Sequence, residues 1–120
     1  MAYFFDSYAI IELSESASSY DGYKLFDIIT GVLNVGELYH IILRQKNKAE
    51  ADSWFKNINF QLLEITPEII TEAVYFRHSS KKNNFSLPDA VGYKLSLKHN
   101  IKFLTGDKQF ENMPNVEFVK

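Results

Sequence analysis

Cysteine is absent from this chain. Its absence excludes disulfide frameworks, thiolate zinc sites and cysteine nucleophiles, and it is compatible with a reducing cytoplasm, the expected location. Glycine is scarce and its five copies are scattered, so no phosphate-cradling glycine loop is present. No apolar run approaches the roughly 20 residues that span a bilayer, and no membrane partner is expected. The N-terminus lacks a basic segment and Asp6 interrupts its apolar start, so no signal peptide is expected. Net charge is only -2. At face value that argues against a nucleic-acid partner, but two bound divalent cations would reverse its sign at the site.

What is present is core-forming material. Hydrophobic residues make up 46% and aromatics 15%, with ten Phe and seven Tyr. With 120 residues, a single domain spanning 1–120 is expected. A short buried strand is predicted over 2–6 and a helix over 7–13. The Ser-rich stretch 14–22 ends in the turn signal Asp21-Gly22. A second strand follows at 26–30, then a helix over 35–45 capped by Asn34, and another over 49–57. After a strand at 60–65, Thr66-Pro67-Glu68 starts a helix running to about His78, with Ile69, Ile70, Ala73, Val74 and Phe76 facing inward. Ser86 caps a helix over 88–98 that Asn100 ends, and strands at 101–105 and 116–119 complete the chain. Strands alternating with helices predict an α/β fold, three layers α/β/α, with a mostly parallel five-stranded sheet.

Four acidic residues punctuate this pattern. Asp6 follows the first strand, and Asp107 follows the strand Ile101–Thr105. Glu37 and Asp89 fall in the first turns of helices. Right-handed crossovers bring the C-terminal ends of parallel strands to one edge, where ligands bind. Each acid has a local explanation. Asp6 reads as a helix cap, Asn34–Glu37 and Ser86–Asp89 read as capping boxes, and Asp107 reads as a turn residue. For any one of them the cap or turn is the commoner role. Together, carboxylates at one sheet edge would repel unless a cation joined them. Hard oxygen ligands suit Mg²⁺, which lowers the pKa of water and stabilises both oxygens of an in-line displacement at phosphorus. The pattern fits phosphodiester hydrolysis. Ser7 and Thr105 lie beside two acids and are candidates for orienting a carboxylate or water. His40, His78 and His99 are read as packing, capping or solvent residues. Lys46, Lys81 and Lys82 are candidate phosphate contacts, although such clusters are more often solvated surface.

The motifs together resemble a family. Phe4-Phe5-Asp6-Ser7-Tyr8-Ala9, Asn34-Val35-Gly36-Glu37-Leu38, Pro88-Asp89-Ala90 and Leu104-Thr105-Gly106-Asp107-Lys108-Gln109-Phe110 occur in the order of PIN-domain motifs and span nearly the whole chain. The small toxins of VapBC-type toxin–antitoxin pairs are the most similar in appearance. The resemblance implies a PIN-like fold and a Mg²⁺- or Mn²⁺-dependent ribonuclease acting on RNA, with Asp6, Glu37, Asp89 and Asp107 as metal-binding catalytic acids. It also implies a homodimer and a small antitoxin that blocks the site. Where many members carry a further acid, this chain has Gln109, which puts a second metal position in question. An inactive PIN-like module binding RNA or protein is the alternative, and intact acids count against it. A phosphotransfer domain fits poorly, because Tyr8 stands where a phosphatase needs a second Asp and Phe5 where a receiver needs an acid.

Overall fold

Tyr3–Phe5 form the first strand, β1, and all three side chains are buried. The computed structural model describes all 120 residues. From β1 the chain enters α1 (Ser7–Ser14) and passes a short 3₁₀ helix (Ser18–Tyr23). It then forms β2 (Ile29–Thr30), α2 (Val32–Gln45), α3 (Lys48–Asn57) and β3 (Gln61–Leu62). Next come α4 (Pro67–Ser79), α5 (Leu87–Lys98) and β4 (Lys102–Thr105). A second 3₁₀ turn (Lys108–Phe110) leads to β5 (Val116–Phe118). The sheet order is β3-β2-β1-β4-β5. Every adjacent pair is parallel, which bears out the expected parallel five-stranded α/β sheet. β1 and β4 pair in the register Phe4↔Phe103 and Phe5↔Leu104.

Strand alternation splits the core between the two faces. Tyr3, Phe5 and Leu104 pack with Ala9, Ile10, Tyr20 and Leu38 on one side of the sheet. Phe4 and Phe103 pack with Ile69, Ala73, Val91, Leu95 and Phe110 on the other. α5 lies against that second face through Gly92, where a Cβ would come within 2.7 Å of the Phe4 ring. β1 sits centrally, with β2 and β3 on one side and β4 and β5 on the other. The connections diverge there, which opens a crevice beyond the carboxyl ends of β1 and β4.

Several sequence expectations are corrected. α2 begins at Val32 behind Gly31, with no side-chain cap, so Asn34 is a buried first-turn residue rather than the cap. The Asn34–Glu37 capping box is therefore absent. β2 and β3 shrink to the two residues that each pairs with the other, and Phe26 lies outside the sheet, packed edge-on against Tyr3 with ring centroids 5.1 Å apart. Val74 is 49% exposed. At 3.6 residues per turn it lies ~140° around α4 from Ile69, off the stripe that Ala73 and Phe76 share. The 3₁₀ helix inside the Ser-rich loop buries Tyr20, whose hydroxyl donates to the Val119 carbonyl at 2.6 Å. No helix is long and apolar enough to cross a membrane.

Candidate active site

Asp6 is the residue after β1, and it is 2% exposed. Its Oδ1 accepts from the Ala9 N–H at 2.8 Å and caps α1. Its own N–H donates to the Leu104 carbonyl at 3.2 Å, which ties it to β4. Burial pushes its carboxyl up to about 8. Hydrogen bonds from Thr105 and Ala9 oppose that rise, and the neighbouring Asp89 and Asp107 carboxylates add to it.

The other three acids reach the same place by different routes. Asp89 is the third residue of α5 and closes its capping box, accepting from the Ser86 N–H at 3.0 Å while Ser86 Oγ accepts from the Asp89 N–H at 3.2 Å. Burial, followed by repulsion from Glu37 and Asp107, outweighs the capping bonds and raises its pKa. Asp107 caps the second 3₁₀ turn, its Oδ1 accepting from the Gln109 N–H at 3.0 Å. Its N–H donates to Thr105 Oγ1 at 3.0 Å. Thr105 is fully buried and touches both Asp6 and Asp107, so it joins the two acids from behind. Glu37, on α2, has no capping role. Its Oε1 accepts from Ser7 Oγ at 2.5 Å.

All four acids line one cleft of about 590 Å³, together with Ser7, Tyr8, Ser86, Lys108 and Lys120. Gly106 lets the cleft wall close, because a Cβ there would strike the Tyr8 ring and sit 2.6 Å from the Val119 carbonyl. No three acidic or histidine side chains are drawn together tightly enough to grip an ion as they stand. The local bonds account for this: Asp6, Asp89 and Asp107 each turn an oxygen to a backbone N–H, and Glu37 turns one to Ser7. The donor set itself, four carboxylates with a hydroxyl and no thiolate or imidazole, suits a hard divalent cation. Burial first, and the neighbouring carboxylates after it, raise the pKa values of Asp6 and Asp89, and a cation beside them would oppose both rises.

Lys46, Lys81 and Lys82 do not line this cleft. Lys46 borders a groove with Trp54 and Ile58, and Lys81 and Lys82 lie in a separate depression with His78. The cleft's cations are Lys108 and Lys120. Lys108 was legible as the neighbour of Asp107, whereas Lys120 carried no sequence signal. Gln109 faces the loop before α5, accepting from the Asn84 N–H at 2.5 Å and donating weakly to the Asn84 carbonyl at 3.4 Å. A carboxylate at that position has no proton to donate to a carbonyl. His40, His78 and His99 are exposed and stand off the cleft.

A parallel α/β sheet with acids at its switch point defines a class, and the sequence carries the same signature. A PIN domain family model matches residues 3–116, and the chain belongs to that family. No curated protein matches the sequence. Among solved structures, it is similar to the Mycobacterium tuberculosis toxin VapC20, described as cleaving the sarcin–ricin loop, with TM-score 0.77 and 15% identity over 99% of this chain and 100% of that one. VapBC2 of Rickettsia felis, bound to a DNA fragment from its promoter, gives TM-score 0.72 and 16% identity over 100% of both chains. A toxin–antitoxin complex from Klebsiella pneumoniae gives TM-score 0.72 and 18% identity over 98% of this chain and 96% of that one.

Proposed function

We propose that this PIN domain is a divalent-cation-dependent endoribonuclease, the toxin of a VapBC-type toxin–antitoxin pair. The observation that carries the reading is the gathering of Asp6, Glu37, Asp89 and Asp107 on one cleft at the sheet's switch point, with Asp6 buried and repelled by Asp89 and Asp107. These four residues would hold Mg²⁺ or Mn²⁺. Bound there, the cation supplies Lewis-acid charge that lowers the pKa of water and offsets charge developing on the scissile phosphate. Ser7 orients Glu37, and Thr105 braces Asp6 against Asp107. Lys108 and Lys120 border the cleft, and on this reading they would meet the flanking phosphates of RNA.

Two surfaces support the partner assignments. A groove of about 520 Å³, lined by Leu38, Ile42, Trp54 and Ile58, shares Ile11 and Ile41 with the acid cleft. An antitoxin segment lying in it would run directly into the acids. Exposed Val74 and Tyr75 on α4 offer an apolar surface for a second copy. The decisive experiment is cleavage of a mixed RNA pool with Mg²⁺, Mn²⁺ or EDTA, run beside Asp6→Asn. Metal-dependent cleavage that vanishes in the variant establishes the nuclease. Absence of cleavage by folded protein with every metal rejects it in favour of a PIN-like binding module.

A further inference from the structure

Asn34 is 1% exposed in the first turn of α2, and its Oδ1 has no hydrogen-bond partner. An idle buried acceptor is costly, so stability alone gives no reason for an amide here. Its other end is engaged. Nδ2 donates to Ser7 Oγ at 3.2 Å, and Ser7 Oγ donates to Glu37 Oε1 at 2.5 Å.

The polarity of this chain is fixed at both ends. An amide nitrogen only donates, and an ionised carboxylate only accepts. The single hydroxyl hydrogen of Ser7 is therefore committed to Glu37, while its lone pair receives the amide. The connection leaves α2 at Asn34, crosses to the first residue of α1 and returns to α2 at Glu37. Glu37 Oε2 receives no protein donor and is left for the cleft.

We propose that Asn34 is a positioning residue that acts through Ser7 to fix the orientation in which Glu37 presents its carboxylate to the cleft. It serves the site of the proposed nuclease, and only its cation-binding readout rests on that reading.

Asn34→Leu keeps the side chain's approximate volume, removes the donor and also removes the idle acceptor. The fold is expected to survive unchanged in melting temperature or slightly stabilised. Mn²⁺ affinity, measured by calorimetry on the purified protein, should fall about tenfold, the scale typical of partners that orient a ligand. Ser7→Ala should weaken binding by at least as much, and Asn34→Leu with Ser7→Ala should be no worse than Ser7→Ala alone. Ser7→Thr, which keeps the hydroxyl, should restore wild-type binding. The metal-free readout is the ¹³C resonance of the Glu37 carboxyl, which should shift in Asn34→Leu in the same direction as in Ser7→Ala. If the leucine does not fit, Asn34→Ala is too short to reach Ser7 and carries the same test. An unmoved Glu37 resonance overturns the proposal, and so do additive losses in the double variant. A wild-type protein that binds no Mn²⁺ sinks the cation reading, while the Glu37 resonance still decides the role of Asn34.

Discussion

Asp6 is a carboxylic acid sealed between a strand end and a helix start, and its burial has a thermodynamic sign. Its pKa rises from 3.8 to about 8 on folding. Between those values the folded, metal-free protein holds one proton more than the unfolded chain, so stability falls as pH rises through the window, by up to about 1.4 kcal/mol per unit. The raised pKa of Asp89 pulls in the same direction. Asp6→Asn keeps a side chain that caps α1 equally well. In EDTA the variant should melt above wild type at pH 8, and the gap should narrow by pH 5, where wild-type Asp6 is protonated. A variant that melts below wild type at pH 8 would show that Asp6 serves chiefly as a cap. Adding Mg²⁺ at pH 8 should raise the wild-type melting temperature and leave the variant's nearly unchanged.

At the scale of elements, the site depends on how closely helices approach the sheet. α5 carries Asp89 and rests on Phe4 and Phe103 through Gly92. Both rings are fully buried and have nowhere to turn. Gly92→Ala should therefore destabilise, because overpacking costs about 1–3 kcal/mol and outweighs the ~1 kcal/mol gained in helix propensity. Gly36→Ala has the opposite expected sign, since nothing lies within 4 Å of a Cβ there on exposed α2. Urea midpoints of the two variants should move in opposite directions, and a shared direction would mean that α5 shifts freely on the sheet. The helix starts at Thr66-Pro67 and Ser86-Pro88 were legible because capping is local chemistry. The start of α2 was not, because the Asn34 amide was claimed by Ser7, 27 residues away in sequence.

For the whole molecule, the net charge of -2 coexists with two lysines at the mouth of an acidic cleft. Lys108→Ala with Lys120→Ala should weaken RNA binding across sequences. It should also flatten the slope of log affinity against log salt by about 1–2. Lys81→Ala with Lys82→Ala should leave that slope unchanged, since those residues lie in another depression. A flattened slope for the second pair and not the first would place the RNA path over the loop before α5.

The alternation of strands and helices, the order of the elements and the four acids were all readable from the sequence, because periodicity, capping and turn chemistry act over a few residues. Short strands were overread, since a strand ends where its neighbour's register ends, and Ile29–Thr30 has only two residues opposite Gln61–Leu62. The acids' convergence on one cleft, the presence of Lys108 and Lys120 on its wall where Lys46, Lys81 and Lys82 are not, and the Asn34–Ser7–Glu37 chain were decided only by tertiary packing. These features join residues far apart in sequence, whose distances are set by how two helical layers close on one sheet.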